Sequence, residues 1–236
     1  MGTLVRAVIE TRHTEQAYQA FQAGFARIRE LDGRLSHYKP ESELMRLCRA
    51  GEAEVSEDLF RVLEHAQRMA FETNGAFDVT IGDRTRQSTF RDIEMRGRRV
   101  RLKKPGMKLD LGAIGKGYAG DEMLRVFRSH GCGRVMAAMS GDVVCADGAW
   151  RVKLEASGET LTLKRCAAST SGDTVQRHIF DARSGAYVEG VWLVSVVART
   201  GMAADALATA LRIVGEAEGQ KLAARHHARA WFRRVS

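Results

Sequence analysis

The sequence predicts an α+β fold, with antiparallel strands and packed helices but no repeating strand–helix order. Two long stretches, residues 14–35 and the run from the Ser56 cap to the Asn74-Gly75 stop, carry apolar residues at helical spacing. Two others, residues 93–103 and 143–168, alternate like hairpins around turn signals at Gly97, Asp147-Gly148 and Ser157-Gly158. Between them the glycine-rich run LDLGAIGKGYAGD, residues 109–121, joins a short apolar segment to a helical one. Hairpins rather than further strand–helix units follow that run, which argues against a regular parallel sheet.

Taken in order, residues 3–10 alternate as a first strand, and residues 14–35 form a helix with Ala17, Phe21, Phe25, Ile28 and Leu31 as its buried stripe. The loop LSHYKPESEL, residues 35–44, is pinned by Pro40 and leads into a short helix that Ser42 can cap. Ser56 caps the next helix, and Asn74-Gly75 stops it. GAFDVTIG, residues 75–82, and residues 107–111 are both expected to be strands. A helix is expected over residues 118–129, and a buried strand over residues 134–139. Residues 191–199 read as an apolar strand, residues 201–214 and 216–225 as helices, and residues 230–235 as a closing strand. No linker or internal repeat divides the chain, so residues 1–236 are expected to be a single domain.

Composition narrows the class. The content is 44% hydrophobic and 28% charged, that of an ordinary water-soluble globule. The net charge of +8 favours anionic ligands, yet the arginines are scattered without interleaved aromatics, so nucleic acid is not expected. Four well-separated cysteines give neither a disulfide framework nor metal-ligand spacing. No run is long enough to span a membrane, and no leader precedes residue 3. A cytoplasmic location is therefore expected, with export only if a leader had been removed.

Three groups of residues carry chemistry. In the 109–121 run, a strand-like segment feeds glycines into a helix start, where backbone N–H groups and the positive end of the helix dipole suit a phosphate or pyrophosphate. A Walker A loop is excluded because Lys116 is followed by Gly117. Gly115, Gly117 and Gly120 satisfy GxGxxG, with Asp142 at about the spacing of a ribose ligand, so a nicotinamide-dependent oxidoreductase stands as one alternative. In ADALAT, Asp205 and Thr209 are four apart and share a helix face. A carboxylate and a hydroxyl are hard oxygen donors suited to Mg²⁺. Asp205 is expected outside the core, as an early-turn carboxylate. Finally, STSGD, residues 169–173, is followed by His178, an imidazole that can move protons near neutrality.

Together these pieces resemble the ApbE family of FAD:protein FMN transferases. The matching stretches, in family order, are MGT, LSHYKPESEL, GAFDVTIG, LDLGAIGKGYAGD, SGD, TSGD with HIFDARSG, and ADALATAL. The resemblance implies an ApbE-like α+β fold of two intimate lobes around an FAD cleft. It implies that Met1 and Tyr38 line the flavin site, and that Ala76, Phe77 and Asp78 form a backbone-rich FAD contact. Asp110, Lys116 and Ile179 match further FAD contacts. Asp205 and Thr209 match Mg²⁺ side-chain ligands, Ala113 a position that ligates through its carbonyl, and His178 the catalytic base. Ala208 stands where some members carry a third metal carboxylate, and a helical stretch that the family carries is missing between Arg84 and Ile93.

The activity implied is Mg²⁺-dependent transfer of FMN from FAD to a Thr or Ser hydroxyl of an acceptor flavoprotein, with release of AMP. The alternatives within the same resemblance are an FAD pyrophosphatase, with water replacing the acceptor, and a non-catalytic FAD-binding protein. The acceptor and the oligomeric state are not written in the sequence.

Overall fold

In the computed structural model the described residues are 4–83, 87–140, 143–172, 179–190 and 192–235. Strand β1 (Val5–Ile9) leads into helix α1 (Thr14–Leu35), α2 (Glu43–Ala50), a short β2 (Glu52–Glu54) and α3 (Glu57–Glu72). The hairpin β3 (Ile93–Arg96) and β4 (Arg99–Leu102) precedes α4 (Gly115–Ser129). Then come β5 (Val135–Met139), β6 (Val143–Lys153), β7 (Thr160–Gly172), β8 (Phe180–Asp181) and β9 (Ala186–Tyr187). The chain closes with β10 (Trp192–Ala198), α5 (Gly201–Val214), α6 (Glu216–Arg225) and β11 (Arg229–Arg234).

Six strands form one sheet in the order β1-β5-β6-β7-β10-β11, and every neighbouring pair is antiparallel. A second sheet, β2-β4-β3, is also antiparallel. The α+β expectation therefore holds. Helix α5 packs on β7 and β10, and α4 packs on α1, α5, β5 and β6. Between sheet and helices lies the main core, with Phe127, Met123, Val135, Val196, Leu207 and Leu211 fully or nearly fully buried. No helix among the described residues is long and apolar enough to cross a membrane.

Periodicity located the helices well. The bounds of α1, α5 and α6 coincide with the apolar stripes, and Ser42 and Ser56 cap α2 and α3 by accepting from the Met45 and Leu59 amides. The buried face of α1 runs through Ala20, Gly24, Ile28, Leu31 and Leu35, with Phe21 and Phe25 packed at its margin. Helix α4 begins at Gly115, three residues earlier than expected.

Three strand expectations are corrected. Residues 75–82 are not a strand: the Asp78 carboxylate accepts from the Thr80 amide (2.9 Å), the Thr80 hydroxyl (2.9 Å) and the Phe90 amide (2.7 Å). Such side-chain bonds offer the backbone an alternative to a ladder, and the segment curls into a 3₁₀ turn at Val79–Asp83. Residues 107–111 are extended but join no sheet. They bond instead to that turn, Asp110 N to Val79 O (2.8 Å) and Gly82 N to Lys108 O (3.1 Å). At Asp147-Gly148 the chain does not reverse. Strand β6 continues through a bulge that sets these two residues against Arg165 of β7, with φ of +85° at Gly148 and +49° at Arg165.

A polar cluster ties α1, α3 and α4 together. Asp58 accepts from Arg27, Arg34 and the Tyr118 hydroxyl (2.6 Å), while Glu122 accepts from Arg27 (2.7 Å) and Arg125 (2.9 Å). Burial alone would raise both carboxyls, but hydrogen bonds from their arginine partners, and from Tyr118 to Asp58, outweigh it and hold both below the usual range. Asp58 is only 3% exposed, so its removal leaves a partly buried guanidinium under-compensated. Asp58→Ala should cost about 3 kcal/mol at neutral pH. Depressed carboxyls stabilise the fold above their unfolded-state pKa, ~4, and lose that contribution as pH falls through the lower folded value. Chemical denaturation between pH 7 and 2.5 should show wild-type stability declining in acid, and the variant declining less.

Candidate active site

The site is built around the N-terminal turn of α4. Asp110 Oδ1 accepts from the Gly112 amide (2.7 Å), which folds the chain back. The Leu111 carbonyl then accepts from Ile114 N (3.1 Å) and Gly115 N (2.8 Å), which starts the helix. Lys116 reaches back over this turn, its Nζ donating to the Gly112 carbonyl (2.9 Å) and lying 3.6 Å from Asp205 Oδ1 on α5. The other Asp205 oxygen accepts from the Gly117 amide (2.9 Å).

That last bond replaces a helical one. The Gly117 amide would point at the Ala113 carbonyl in a regular helix; here Asp205 takes it, and no described residue donates to that carbonyl. A residue with a Cβ cannot stand at 117, because that atom would lie 2.0 Å from the Gly201 carbonyl oxygen. The pairing is reciprocal, since Asp121 of α4 accepts from Gly201 N (2.7 Å) and Met202 N (2.9 Å) at the start of α5. Burial pushes the Asp121 carboxyl up, opposed by those two amides.

Asp205 is thus 3% exposed and structural as well as available, which corrects the expectation that it stands outside the core. Thr209 lies one turn further along α5, half-buried, and its hydroxyl has no hydrogen-bond partner among the described residues. A buried carboxylate, a hydroxyl and an uncommitted carbonyl are an all-oxygen donor set, the type a small hard dication accepts. No group of three or more His, Cys, Asp or Glu residues that could hold a metal is present among the described residues. Ala208, at the position of the missing third carboxylate, is 1% exposed.

Other sequence-predicted residues fall into three groups. Tyr38 is 72% exposed beside this turn, linked to it through its neighbour His37. Ala76 and Phe77 are buried in the core with their amides donating to the Thr73 carbonyl (3.1 Å) and hydroxyl (3.1 Å), and Asp78 spends its oxygens on Thr80 and Phe90. Ile179 is buried at the foot of the β8–β9 hairpin, its carbonyl accepting from Val188 N (2.9 Å); no hydrogen bond links it to the α4 turn among the described residues. Met1, His178, Gly141, Asp142 and Asp173 lie outside the described residues.

A cavity of about 820 Å³ opens elsewhere, against α3, the later turns of α4 and the start of α5. Three of its four carboxylates are already committed: Asp147 to Arg128 (2.5 Å), Glu122 to Arg27 and Arg125, and Asp121 to the α5 amides, with Glu64 the fourth. It holds none of the residues of the α4 turn.

The fold accords with known proteins. The chain belongs to the ApbE family, whose model matches residues 1–232. An FAD:protein FMN transferase of Vibrio cholerae is 27% identical over 245 residues, which cover 83% of this chain and 73% of that protein. One of Treponema pallidum is 27% identical, covering 91% and 77% respectively. Among solved structures, the flavin transferase ApbE of Vibrio cholerae superimposes with a TM-score of 0.83 at 21% identity, covering all of this chain and 94% of that one. The apo flavinyl transferase ApbE of Pseudomonas stutzeri does so with a TM-score of 0.84 at 21% identity, covering 98% and 93%.

The packing at Gly117 makes a prediction. Gly117→Ala should lower stability by about 3 kcal/mol, because backbone on both helices must give way. Gly115→Ala meets only ordinary contact, with Leu111 Cβ at 4.0 Å, and should be neutral or slightly stabilising. Thermal unfolding of the two variants side by side checks the difference.

Proposed function

We propose that this chain transfers FMN from FAD to a hydroxyl of an acceptor protein, a Thr or Ser side chain, and releases AMP. The observation that carries the proposal is the convergence, on one glycine turn, of the Lys116 ammonium, the Asp205 carboxylate and the unpartnered Ala113 carbonyl. A cation beside hard oxygen donors at a helix N-terminus suits a pyrophosphate better than it suits a neutral ligand. Kinship with proteins named FAD:protein FMN transferases selects FAD among pyrophosphates.

In this reading the oxygen donors Asp205, Thr209 and the Ala113 carbonyl would hold Mg²⁺, whose contribution when bound is to offset phosphate charge as a Lewis acid. Lys116 moves from the Gly112 carbonyl to the pyrophosphate and keeps the leaving AMP neutralised. Tyr38 offers its exposed face to a ring of the nucleotide. The acceptor oxygen bonds to the FMN phosphorus, the bond from that phosphorus to the bridging oxygen breaks, and AMP leaves with the bridging oxygen. His178 takes the hydroxyl proton and must be neutral to do so. Transfer should therefore fall in acid, once that imidazole is protonated.

The test uses Asp205→Asn, which keeps an acceptor for the Gly117 amide and removes the charge. With FAD, Mg²⁺ and a co-expressed acceptor domain, wild type should release AMP and add the mass of FMN to the acceptor. The variant should fold and lose about 100-fold or more of that rate, and Thr209→Val should lose less. AMP without an adduct on the acceptor would identify a hydrolase, and tight NAD binding without FAD binding would overturn the proposal.

A further inference from the structure

His37 enters the site through a geometry that its lone occurrence in the sequence does not suggest. It follows α1 and its C-cap Ser36, and its Nδ1 lies 3.0 Å from Asp110 Oδ1, the oxygen that also accepts from the Gly112 amide. At that distance the imidazole and the carboxylate pair directly, as an ion pair whenever the ring is protonated. The imidazole also lies against Tyr38, with ring centroids 3.9 Å apart and planes inclined by 43°. Its side chain is 25% exposed, whereas Tyr38 is 72% exposed. Were Gly112 to carry a Cβ, that atom would sit 3.0 Å from Asp110 Oδ1 and 3.9 Å from His37 Cε1, so imidazole, carboxylate and glycine turn are in mutual contact.

An exposed tyrosine ring with nothing behind it samples several rotamers, and stacking a ligand on it forfeits that freedom. His37 removes part of the cost in advance, backing the Tyr38 ring on one side while Asp110 fixes the imidazole from another. The carboxylate is itself held by Gly112, whose carbonyl holds Lys116, which faces Asp205. The aromatic platform and the phosphate-facing turn are thereby joined into one frame through a single side chain.

We infer that His37 is a positioning residue for the nucleotide, coupling the Tyr38 platform to Asp110 so that an aromatic ring and a pyrophosphate are met at a fixed separation. This rests on the reading of the site as an FAD site and adds to it a residue that orders the cradle without touching the reacting phosphorus.

The experiment is FAD binding, followed by flavin fluorescence, together with steady-state FMN transfer, for wild type and three variants. His37→Ala should weaken FAD binding about 10-fold and raise the KM for FAD correspondingly, with kcat at saturating FAD within about twofold of wild type. His37→Asn keeps a donor for Asp110 and His37→Phe keeps a ring behind Tyr38, so each should recover about half of the loss on a logarithmic scale. In an Asp110→Asn background the effect of His37→Phe should shrink, since the bond it lacks no longer meets a charge. Thermal unfolding of each variant confirms that it is folded. FAD affinity of His37→Ala within twofold of wild type, or a loss confined to kcat, would overturn the role of His37 while leaving the function intact. Failure of the wild-type protein to bind FAD would overturn the function and this role together.

Discussion

The arrangement of the site depends on two helices that cap each other. The amides at the start of α5 are held by Asp121 of α4, and the Gly117 amide near the start of α4 is held by Asp205 of α5. Each carboxylate faces the positive end of the other helix, where negative charge is favoured. The crossing is possible only because Gly117 meets Gly201 backbone to backbone. Cys145 of β6 lies beneath, so near that a Cβ on Gly201 would be 2.3 Å from its sulfur. Full burial pushes this thiol far up, which makes it inert filling and not a nucleophile. Since one carboxylate both fixes the crossing and faces Lys116, the position of the chemistry is set by the packing of the core.

Around that crossing the polar groups are layered by how fully they are committed. Asp78 is closed off by Thr80 and Phe90, burial raising its carboxyl, and it shapes the turn that receives the Asp110 amide. Lys116 is partly exposed and, among the described residues, held by a carbonyl and a carboxylate at 3.6 Å, contacts that an incoming phosphate can displace. The groups that define shape are thus sealed, and those proposed to meet ligand are loosely held. This is the division expected of a site assembled before its substrate arrives.

Much of this was legible in the sequence, and the failures have physical causes. The position of α1 followed from 3.6-residue periodicity because it buries one face, whereas α5 is buried almost all round and read as a helix from its apolar, alanine-rich content. Residues 75–82 and 107–111 looked like strands because apolar content reports burial, and burial does not require a ladder. The Asp147-Gly148 pair reads as a turn in sequence, but a bulge uses the same glycine conformation to keep a strand going. Asp205 stood out by its spacing to Thr209, and Asp110 and Lys116 by the family resemblance, whereas the burial of Asp205 was not legible, since its partner amide is 88 residues away. His37 escaped for the same reason: its contact with Asp110 is long-range, and a single histidine carries no periodic signal.

The last strand gives the net positive charge a second meaning. β11 lies at the end of the six-stranded order, paired with β10 on one side, and Arg229, Arg233 and Arg234 on it are all exposed. An open strand edge invites another chain to add to it, and arginines along the edge make that addition costly by forcing like charges together when a second copy approaches. Three of the chain's cations therefore stand where like-charge repulsion disfavours the addition of a second copy's strand.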